Sequence, residues 1–479
     1  MSSDPDPSLA PQPGPSSAPD PAGSSDPAPA APLLRDAAER SIRYLEELPG
    51  RAVAPDSAAL EALSRFDEPL PDAPTDPAET LALLDEVGSP ATVATTGGRY
   101  FGFVVGGALP ATVAANWLAG AWDQNAGAVA LAPGCAALEE TALRWILDLL
   151  GLPAGSGVGF VTGATAANLC GLAAGRHALL ERMGWDVEAK GLYGAPEITV
   201  VVGEEVHVSL LKGLGILGLG RERVVRVPTD EQGRMRPDAL PPLSGSTLLC
   251  IQAGNVDSGA FDPAEEICGR AREAGAWTHV DGAFGLWARV SPELERLARG
   301  VELADSWCLD AHKWLNVPQD CGIAICREPE ALRRAMVVSA SYLVLGERRE
   351  PYSFTPEMSR RARGVEVWAA LRTLGRSGLA DLVERSCRHA RRFAEGLEEA
   401  GFEILNDVVL NQVLVGFGAP ETTDRVIRRL QDDGTCWCGG TTWHGRRAMR
   451  ISVSSWATTE EDVEASLEAM LRAAEAAGA

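Results

Sequence analysis

Lysine is almost absent from this 479-residue sequence, which has only Lys190, Lys212 and Lys313 beside forty arginines. Positive charge is also in deficit: the net charge is −23, which argues against nucleic-acid or anionic-membrane partners because both require a basic surface. No CxxC pair occurs among the ten cysteines, and the six histidines show no ligand spacing, so no metal site is expected. We therefore expect reduced, buried thiols in a cytoplasmic protein.

Long apolar runs are equally scarce. Residues 1–30 are mainly Pro, Ser, Ala, Gly and Asp, a composition that predicts a disordered tail and lacks the apolar core of a secretory signal. The stretch from Tyr100 to Trp122 carries no charged side chain, but glycines, a proline and an asparagine interrupt it. This pattern predicts a buried segment at an active site or a subunit interface rather than a membrane span.

Alternating apolar strands and helices begin near residue 157. This order predicts an α/β fold whose large domain has a mostly parallel, seven-stranded-type sheet covered by helices, with a smaller C-terminal α+β domain and an N-terminal helical segment. The predicted limits are a tail at 1–30, an N-terminal helical segment at 31–95, a large domain at 96–340, a mobile lid loop at 341–355 and a small domain at 356–479. Three arginines lie near the start of the last domain, and we expect most of them on a solvated helix face: Arg360, Arg361 and Arg363.

Lys313 is the residue from which we expect chemistry. It lies just after an apolar, strand-like run, in Asp310-Ala311-His312-Lys313-Trp314. A guanidinium stays protonated, whereas a desolvated amine can lose its proton and attack a carbonyl, so Lys313 is a candidate Schiff-base residue. Asp281 ends another apolar strand upstream. In a parallel sheet both side chains would lie at the carboxyl ends of strands, where ligands bind.

This spacing resembles the pyridoxal-phosphate-dependent group II amino-acid decarboxylases, which have the aspartate-aminotransferase fold, fold type I. The resemblance covers about residues 90–460. It implies that Lys313 attaches pyridoxal 5'-phosphate, that Asp281 keeps the pyridine nitrogen protonated so that the ring accepts electrons, and that His207 stacks on the ring. It also implies a homodimer.

Further cofactor contacts follow from the resemblance. Ala164 and Thr165 lie in a turn of small residues that opens a helix, where free N–H groups and the helix dipole favour a phosphate. His312 is expected to reach the phosphate region rather than Asp310, because a carboxylate repels a phosphate unless it is turned away or paired. The other implied contacts come from Asn255, where some relatives have Thr, and from Ala283.

The segment from Arg99 to Gly107 is similar to the family's substrate-pocket segment. It is apolar and aromatic, and no cation follows it until Arg144. This favours an amino-acid substrate with an uncharged, apolar or aromatic side chain. The implied substrate contacts are Tyr100, Phe103, Val105 and Gly106.

Tyr342 matches a mobile-loop tyrosine that relatives use as the proton donor after decarboxylation. The resemblance therefore implies conversion of an L-amino acid to its amine and CO2. Three other reactions on the same scaffold stay open: oxidative aldehyde formation, transamination and aldol cleavage. A cofactor-binding relative without turnover is the remaining alternative.

Overall fold

The computed structural model describes residues 30–338 and 349–479. They form two compact units. One unit comprises the described residues up to Glu47 together with Asp56–Thr92, and it is helical. Its helices are α1 (Ala30–Glu47), α2 (Ser57–Ala62), α3 (Pro77–Leu83) and α4 (Ser89–Ala91).

The other unit, Leu48–Pro55 with Val93–Ala479, is organised around a seven-stranded sheet. Its strands are β1 (Gly157–Val161), β2 (Thr199–Gly203), β3 (Val225–Val227), β4 (Thr247–Gln252), β5 (Trp277–Asp281), β6 (Ser306–Asp310) and β7 (Gly322–Cys326). Their order is β1-β7-β6-β5-β4-β2-β3. Strands β2 to β6 pair in parallel, whereas β7 lies antiparallel to both β1 and β6. The mostly parallel seven-stranded sheet is therefore confirmed.

Apolar cores cover both faces of this sheet, as expected for parallel strands. Alternate residues of one strand divide between them: Leu248 and Cys250 pack with one core, and Leu249 and Ile251 with the other. The helices of this region are α5 (Pro110–Trp122), α6 (Pro133–Leu149), α7 (Ala164–Arg182), α8 (Val187–Lys190), α9 (Val208–Ile216), α10 (Ala264–Glu273) and α11 (Pro329–Met336).

A second, smaller α+β region follows, as predicted. Its antiparallel sheet has the order β10-β11-β9-β8, formed by β8 (Glu403–Ile404), β9 (Gln412–Gly416), β10 (Gly439–Trp443) and β11 (Arg446–Ser452). Its helices are α12 (Gly364–Glu399), α13 (Pro420–Asp433) and α14 (Glu460–Ala477). Gly375 interrupts α12 with a φ of 60°, a conformation that glycine adopts readily.

All ten cysteines are buried and free, as the sequence predicts. Within the described residues, no helix combines the length and the apolar character needed to cross a membrane. The arginine prediction was wrong for two of the three residues. The Arg360 side chain is fully buried against Glu139, and Arg363 is buried with hydrogen bonds to Asp320. Arg361 is partly exposed.

Candidate active site

Lys313 lies in the loop that follows β6, and its amine is held by a carboxylate. The distance from Lys313 Nζ to Asp310 Oδ2 is 3.0 Å. The other oxygen of this buried carboxylate accepts a hydrogen bond from Ala164 N at 2.6 Å. Asp310 therefore joins the amine to the first turn of α7, at the point where the sequence predicts a phosphate site.

His312 reaches the same turn. Its Nδ1 donates to the carbonyl oxygen of Cys321 at 2.8 Å, and its Nε2 lies 3.7 Å from Asp310 Oδ2. A Cβ on Gly163 would lie 3.3 Å from Cε1 of His312. Both side chains therefore reach this turn, and Asp310 does so as a paired carboxylate. Contact of His312 with the phosphate stays a prediction. Thr165 is exposed in the same turn.

Asn316 ties the Lys313 loop to distant parts of the chain. Its Oδ1 accepts from the backbone N–H groups of Gly107 and Trp456, each at 2.9 Å. Gly106 lies directly against the loop, since a Cβ there would overlap the carbonyl oxygen of Lys313. The predicted substrate segment and the predicted Schiff-base lysine therefore meet.

Asp281 ends β5 and is buried. Its Oδ2 accepts from Asn168 Nδ2 at 3.1 Å, and its Oδ1 accepts from Ala283 N at 3.2 Å and from Cys308 Sγ at 3.3 Å. Among residues 30–338 and 349–479, Asp281 has no ion-pair partner. A buried carboxylate with only uncharged donors is suited to receive a cationic N–H group.

His207 caps α9 and lies within electrostatic range of both groups. Burial is the main cause that lowers the pKa of His207; Asp281 opposes this shift, and Lys313 and Arg450 reinforce it. The imidazole is therefore neutral near pH 7. A neutral imidazole within electrostatic range of an acid and an amine is suited to stack on a flat aromatic group.

Two other predicted cofactor contacts lie at neighbouring strand ends. Ala283 connects β5 to β6, because its carbonyl oxygen accepts from Asp310 N at 2.8 Å. Asn255 is buried, and its Oδ1 accepts from the backbone N–H groups of Asp257 and Ser258 at 2.9 and 3.1 Å. The contacts of Asn255 are thus with its own loop, and its cofactor contact stays a prediction.

The predicted substrate segment carries an aromatic stack that sequence reasoning missed. Trp437 stacks on Tyr100 with ring centroids 5.3 Å apart and on Phe103 at 5.6 Å. Tyr100 is buried, Phe103 is exposed and Val105 is half-buried. Trp437 lies more than three hundred residues from its partners, so local patterns gave no signal for it.

Arg450 was missed for the same reason. It lies on β11, pairs with Asp257 at 3.2 Å, and contributes to the electrostatic field at His207. Arg450 therefore supplies a cation near Tyr100 that the sequence between Arg99 and Arg144 does not contain. Tyr342 lies outside the described residues.

The residues present fit pyridoxal phosphate. The Lys313 amine and the first turn of α7 are joined through Asp310. Lys313 and Asp281, an acid without a cationic partner among the described residues, are both within electrostatic range of His207. Each group matches one part of that cofactor: its aldehyde, its phosphate and its ring nitrogen.

Comparisons with known proteins agree with this chemistry. Residues 76–418 match the family model described as the pyridoxal-dependent decarboxylase conserved domain. Acidic amino acid decarboxylase GADL1 of Bos taurus is 28% identical over 361 residues, 72% of this chain and 67% of that protein. An aromatic-L-amino-acid decarboxylase of Bacillus atrophaeus is 25% identical over 83% of this chain and 86% of that protein.

One similar protein is named for a different product, the 4-hydroxyphenylacetaldehyde synthase of Rhodiola rosea. It is 27% identical over 69% of this chain and 72% of that protein. The fold is shared with a crystal structure of Oryza sativa TDC with PLP and tryptamine, at a TM-score of 0.85 and 22% identity, covering 95% of this chain and 99% of that one.

Proposed function

The chain belongs to the pyridoxal-dependent decarboxylase family, and from this premise we propose that it removes the α-carboxylate of an L-amino acid as CO2 and releases the amine. It is a pyridoxal-phosphate-dependent carboxy-lyase by family. The cofactor, when bound, supplies an electron sink for the charge left on the α-carbon. The observation that carries the proposal is the buried Asp281 carboxylate, whose donors in the described part of the chain are all uncharged.

Each residue of the proposed site has a defined task. The Lys313 amine would attach the cofactor, and the first turn of α7, at Ala164 and Thr165, would hold its phosphate. Asp281 would keep a proton on the ring nitrogen, and the neutral His207 ring would stack on the pyridine. We also propose contacts from Ala283, His312 and Asn255.

Tyr342 is proposed as the proton donor to the α-carbon. This assignment rests on the resemblance alone, in which the matching tyrosine of relatives donates the proton after decarboxylation. Oxidative aldehyde formation is the second candidate, and the named activity of the Rhodiola rosea relative favours it. Production of hydrogen peroxide and aldehyde distinguishes that reaction from simple decarboxylation.

We propose that the substrate has an apolar or aromatic side chain. The stack of Tyr100, Trp437 and Phe103 offers aromatic surface. Arg450 is balanced by Asp257, so it carries no spare charge for a substrate side-chain carboxylate. The acidic amino acid decarboxylase relative supports the opposite choice, and both classes therefore belong in the substrate panel.

A homodimer in the cytoplasm is also proposed. The segment from Tyr100 to Trp122 is not buried throughout: helix α5 exposes Trp117, Leu118 and Trp122. A helix apolar on all sides can bury only part of its surface within one chain, and the remainder suits a subunit interface. Light scattering on purified protein tests the dimer. Ten free thiols support a reducing compartment.

The test of function is a panel of aromatic, apolar and acidic L-amino acids given to the cofactor-loaded protein. We expect CO2 and amine in equal amounts from an aromatic or apolar member, without peroxide or keto acid. Lys313→Ala should abolish turnover, whereas Lys212→Ala, on the exposed face of α9, should retain it. Absence of CO2 from every amino acid would refute the proposal.

A further inference from the structure

A chain of buried hydrogen bonds lies behind Asp281. Trp277 Nε1 donates to Ser306 Oγ at 3.0 Å, and Ser306 Oγ lies 2.8 Å from His279 Nδ1. His279 Nε2 lies 2.8 Å from Asn168 Oδ1, and Asn168 Nδ2 donates to Asp281 Oδ2 at 3.1 Å. None of these five residues is more than 5% exposed. The chain therefore runs through the core without contact with water.

Every donor in this chain points towards Asp281. An indole N–H can only donate, so Ser306 accepts from Trp277 and gives its own hydrogen to His279 Nδ1. The hydrogen of the neutral imidazole then lies on Nε2 and is donated to the amide oxygen of Asn168. This orients the amide so that its NH2 group faces the carboxylate. This direction fits both ends of the chain, because the Trp277 indole can only donate and the ionised Asp281 carboxylate can only accept.

Two observations support a neutral, fixed His279. Burial lowers the pKa of His279 to about 4, so its charged form is rare near neutral pH. The ring packs closely on helix α7 at Gly171, where a Cβ would lie 2.5 Å from Cε1 and 2.6 Å from Nδ1 of His279. The ring is therefore confined to one position and one tautomer.

The same amide also reaches His207. Asn168 Nδ2 lies 3.3 Å from Ser209 Oγ, which lies 2.7 Å from His207 Nδ1. The backbone N–H of Ser209 also donates to that nitrogen at 3.3 Å, which makes His207 Nδ1 an acceptor. The Ser209 hydroxyl therefore donates to His207 and accepts from Asn168. The hydrogen of the His207 ring lies on Nε2 as a result.

We propose that Asn168 and His279 are positioning residues that act through Asp281: together with Ser306 and Trp277 they hold its carboxylate ionised and directed at the ring nitrogen of the cofactor. A neutral amide donor favours the ionised carboxylate, and its fixed orientation prevents the rotation that would move the lone pair away. The inference rests on the assignment of Asp281 to the ring nitrogen.

The test compares His279→Gln with His279→Asn. The longer glutamine amide places an N–H group near the position of Nε2, whereas the asparagine amide ends near Nδ1 and leaves Asn168 without its donor. Binding of pyridoxal phosphate to the cofactor-free protein is titrated by fluorescence. Binding of a 1-deaza analogue, in which carbon replaces the ring nitrogen, is titrated in parallel.

We expect His279→Asn and Asn168→Leu to bind pyridoxal phosphate about tenfold to a hundredfold more weakly than the wild type, since a hydrogen bond to a charged group is lost or misaligned. His279→Gln should bind within about threefold of the wild type. All variants should bind the deaza analogue equally, because it makes no contact through a ring nitrogen.

An equal loss of affinity for both cofactors in His279→Asn and Asn168→Leu would overturn the proposal, because the variants would then act on the site as a whole. Trp277→Phe deletes only the first donor and keeps an aromatic ring. It should show a smaller loss, again confined to pyridoxal phosphate, and it provides the same comparison if the other variants fold poorly. If the wild type itself binds both cofactors equally, the assignment of Asp281 fails, and the proposal fails with it.

Discussion

Replacing Asp310 by Asn tests how this site manages a carboxylate beside an anion-binding turn. The Asp310 side chain is 3% exposed, and its carboxylate lies 3.0 Å from Lys313 Nζ. At an effective dielectric constant near 20, two unit charges at this distance attract by about 5.5 kcal/mol before desolvation is subtracted. Removing one partner of such a buried pair costs about 3 kcal/mol. We expect Asp310→Asn to lower the free energy of unfolding of the cofactor-free protein by that amount.

Binding of the cofactor should change in the opposite direction. In the wild type, attachment of the cofactor would remove the Lys313 amine as the partner of Asp310, and a phosphate held at the first turn of α7 would then lie near an unpaired carboxylate. Asparagine can still accept the hydrogen bond from Ala164 N, but it carries no charge. We expect Asp310→Asn to bind pyridoxal phosphate at least about tenfold more tightly, because like-charge repulsion is removed.

Urea unfolding and fluorescence titration of the cofactor-free protein measure the two effects. The matched control is Asp320→Asn, because Asp320 pairs with Arg363 at 3.1 Å but is 47% exposed. It should change neither quantity by more than about 1 kcal/mol. The reasoning is refuted if Asp310→Asn leaves the stability of the cofactor-free protein unchanged or weakens cofactor binding.

Three further outcomes follow from the same contacts. Borohydride reduction of the loaded protein should fix the cofactor on Lys313, found by peptide mass spectrometry; label on Lys212 instead would contradict the assignment. Glu139→Gln should lower the free energy of unfolding by about 3–5 kcal/mol, because two arginines lose a buried counter-charge. The control Glu403→Gln removes one partner of an exposed pair and should lower it by about 1 kcal/mol or less. Equal losses for the two variants in urea unfolding would contradict this. Because burial lowers the pKa of His279 to about 4, below the usual 6.5 or so, the unfolded chain binds more protons between these values and stability falls as the pH falls. From pH 7 to pH 5, His279→Gln should therefore lose about 2 kcal/mol less than the wild type; an unchanged difference would refute the buried neutral imidazole.

Local patterns in the sequence were sufficient for the strand ends. Asp281 and Lys313 each follow an apolar run, and parallel strands bring the ends of such runs to one edge of a sheet. The structure places both side chains within electrostatic range of His207. A run of apolar residues followed by a polar one is a property of a few consecutive positions, which is why it could be predicted without knowing the topology.

Non-local packing could not be predicted in that way. Strand β7 is inserted between β1 and β6 and runs antiparallel to both, which brings Gly322 against the backbone of Gly163 at the start of α7. Trp437 and Arg450 come from the region of the second sheet. Trp437 stacks on Tyr100, and Arg450 acts electrostatically on His207. The two buried arginines near residue 360 were misjudged because their counter-charges are distant in sequence: Arg360 pairs with Glu139 on α6, and Arg363 pairs with Asp320, just before β7.

The hydrogen-bond chain behind Asp281 combines local pattern with non-local packing. Its residues on β5 and on α7 each follow the regular spacing of their own element, although the two elements are distant in sequence. Trp277, His279 and Asp281 are two residues apart and therefore share one face of β5. Each meets one position of helix α7: Trp277 meets Gly175, His279 meets Gly171, and Asp281 meets Asn168. Residue numbers rise along the strand while those of their partners fall along the helix, so β5 and α7 run in opposite directions.

This pairing also explains the residue types. Seven helical residues rise about 10.5 Å and four strand residues span about 13 Å, so three contacts stay nearly in step. The two glycines of α7 admit the large rings of Trp277 and His279, since a Cβ at either position would come within 3 Å of a ring. The remaining helix position carries an amide, where the strand carries the acid. On the helix, the pattern is an amide followed by small residues three and then four positions later. On the strand, it is two large rings and an acid at every second residue. Together these patterns predict a buried carboxylate whose hydrogen-bond donor is itself held in place by a second hydrogen bond.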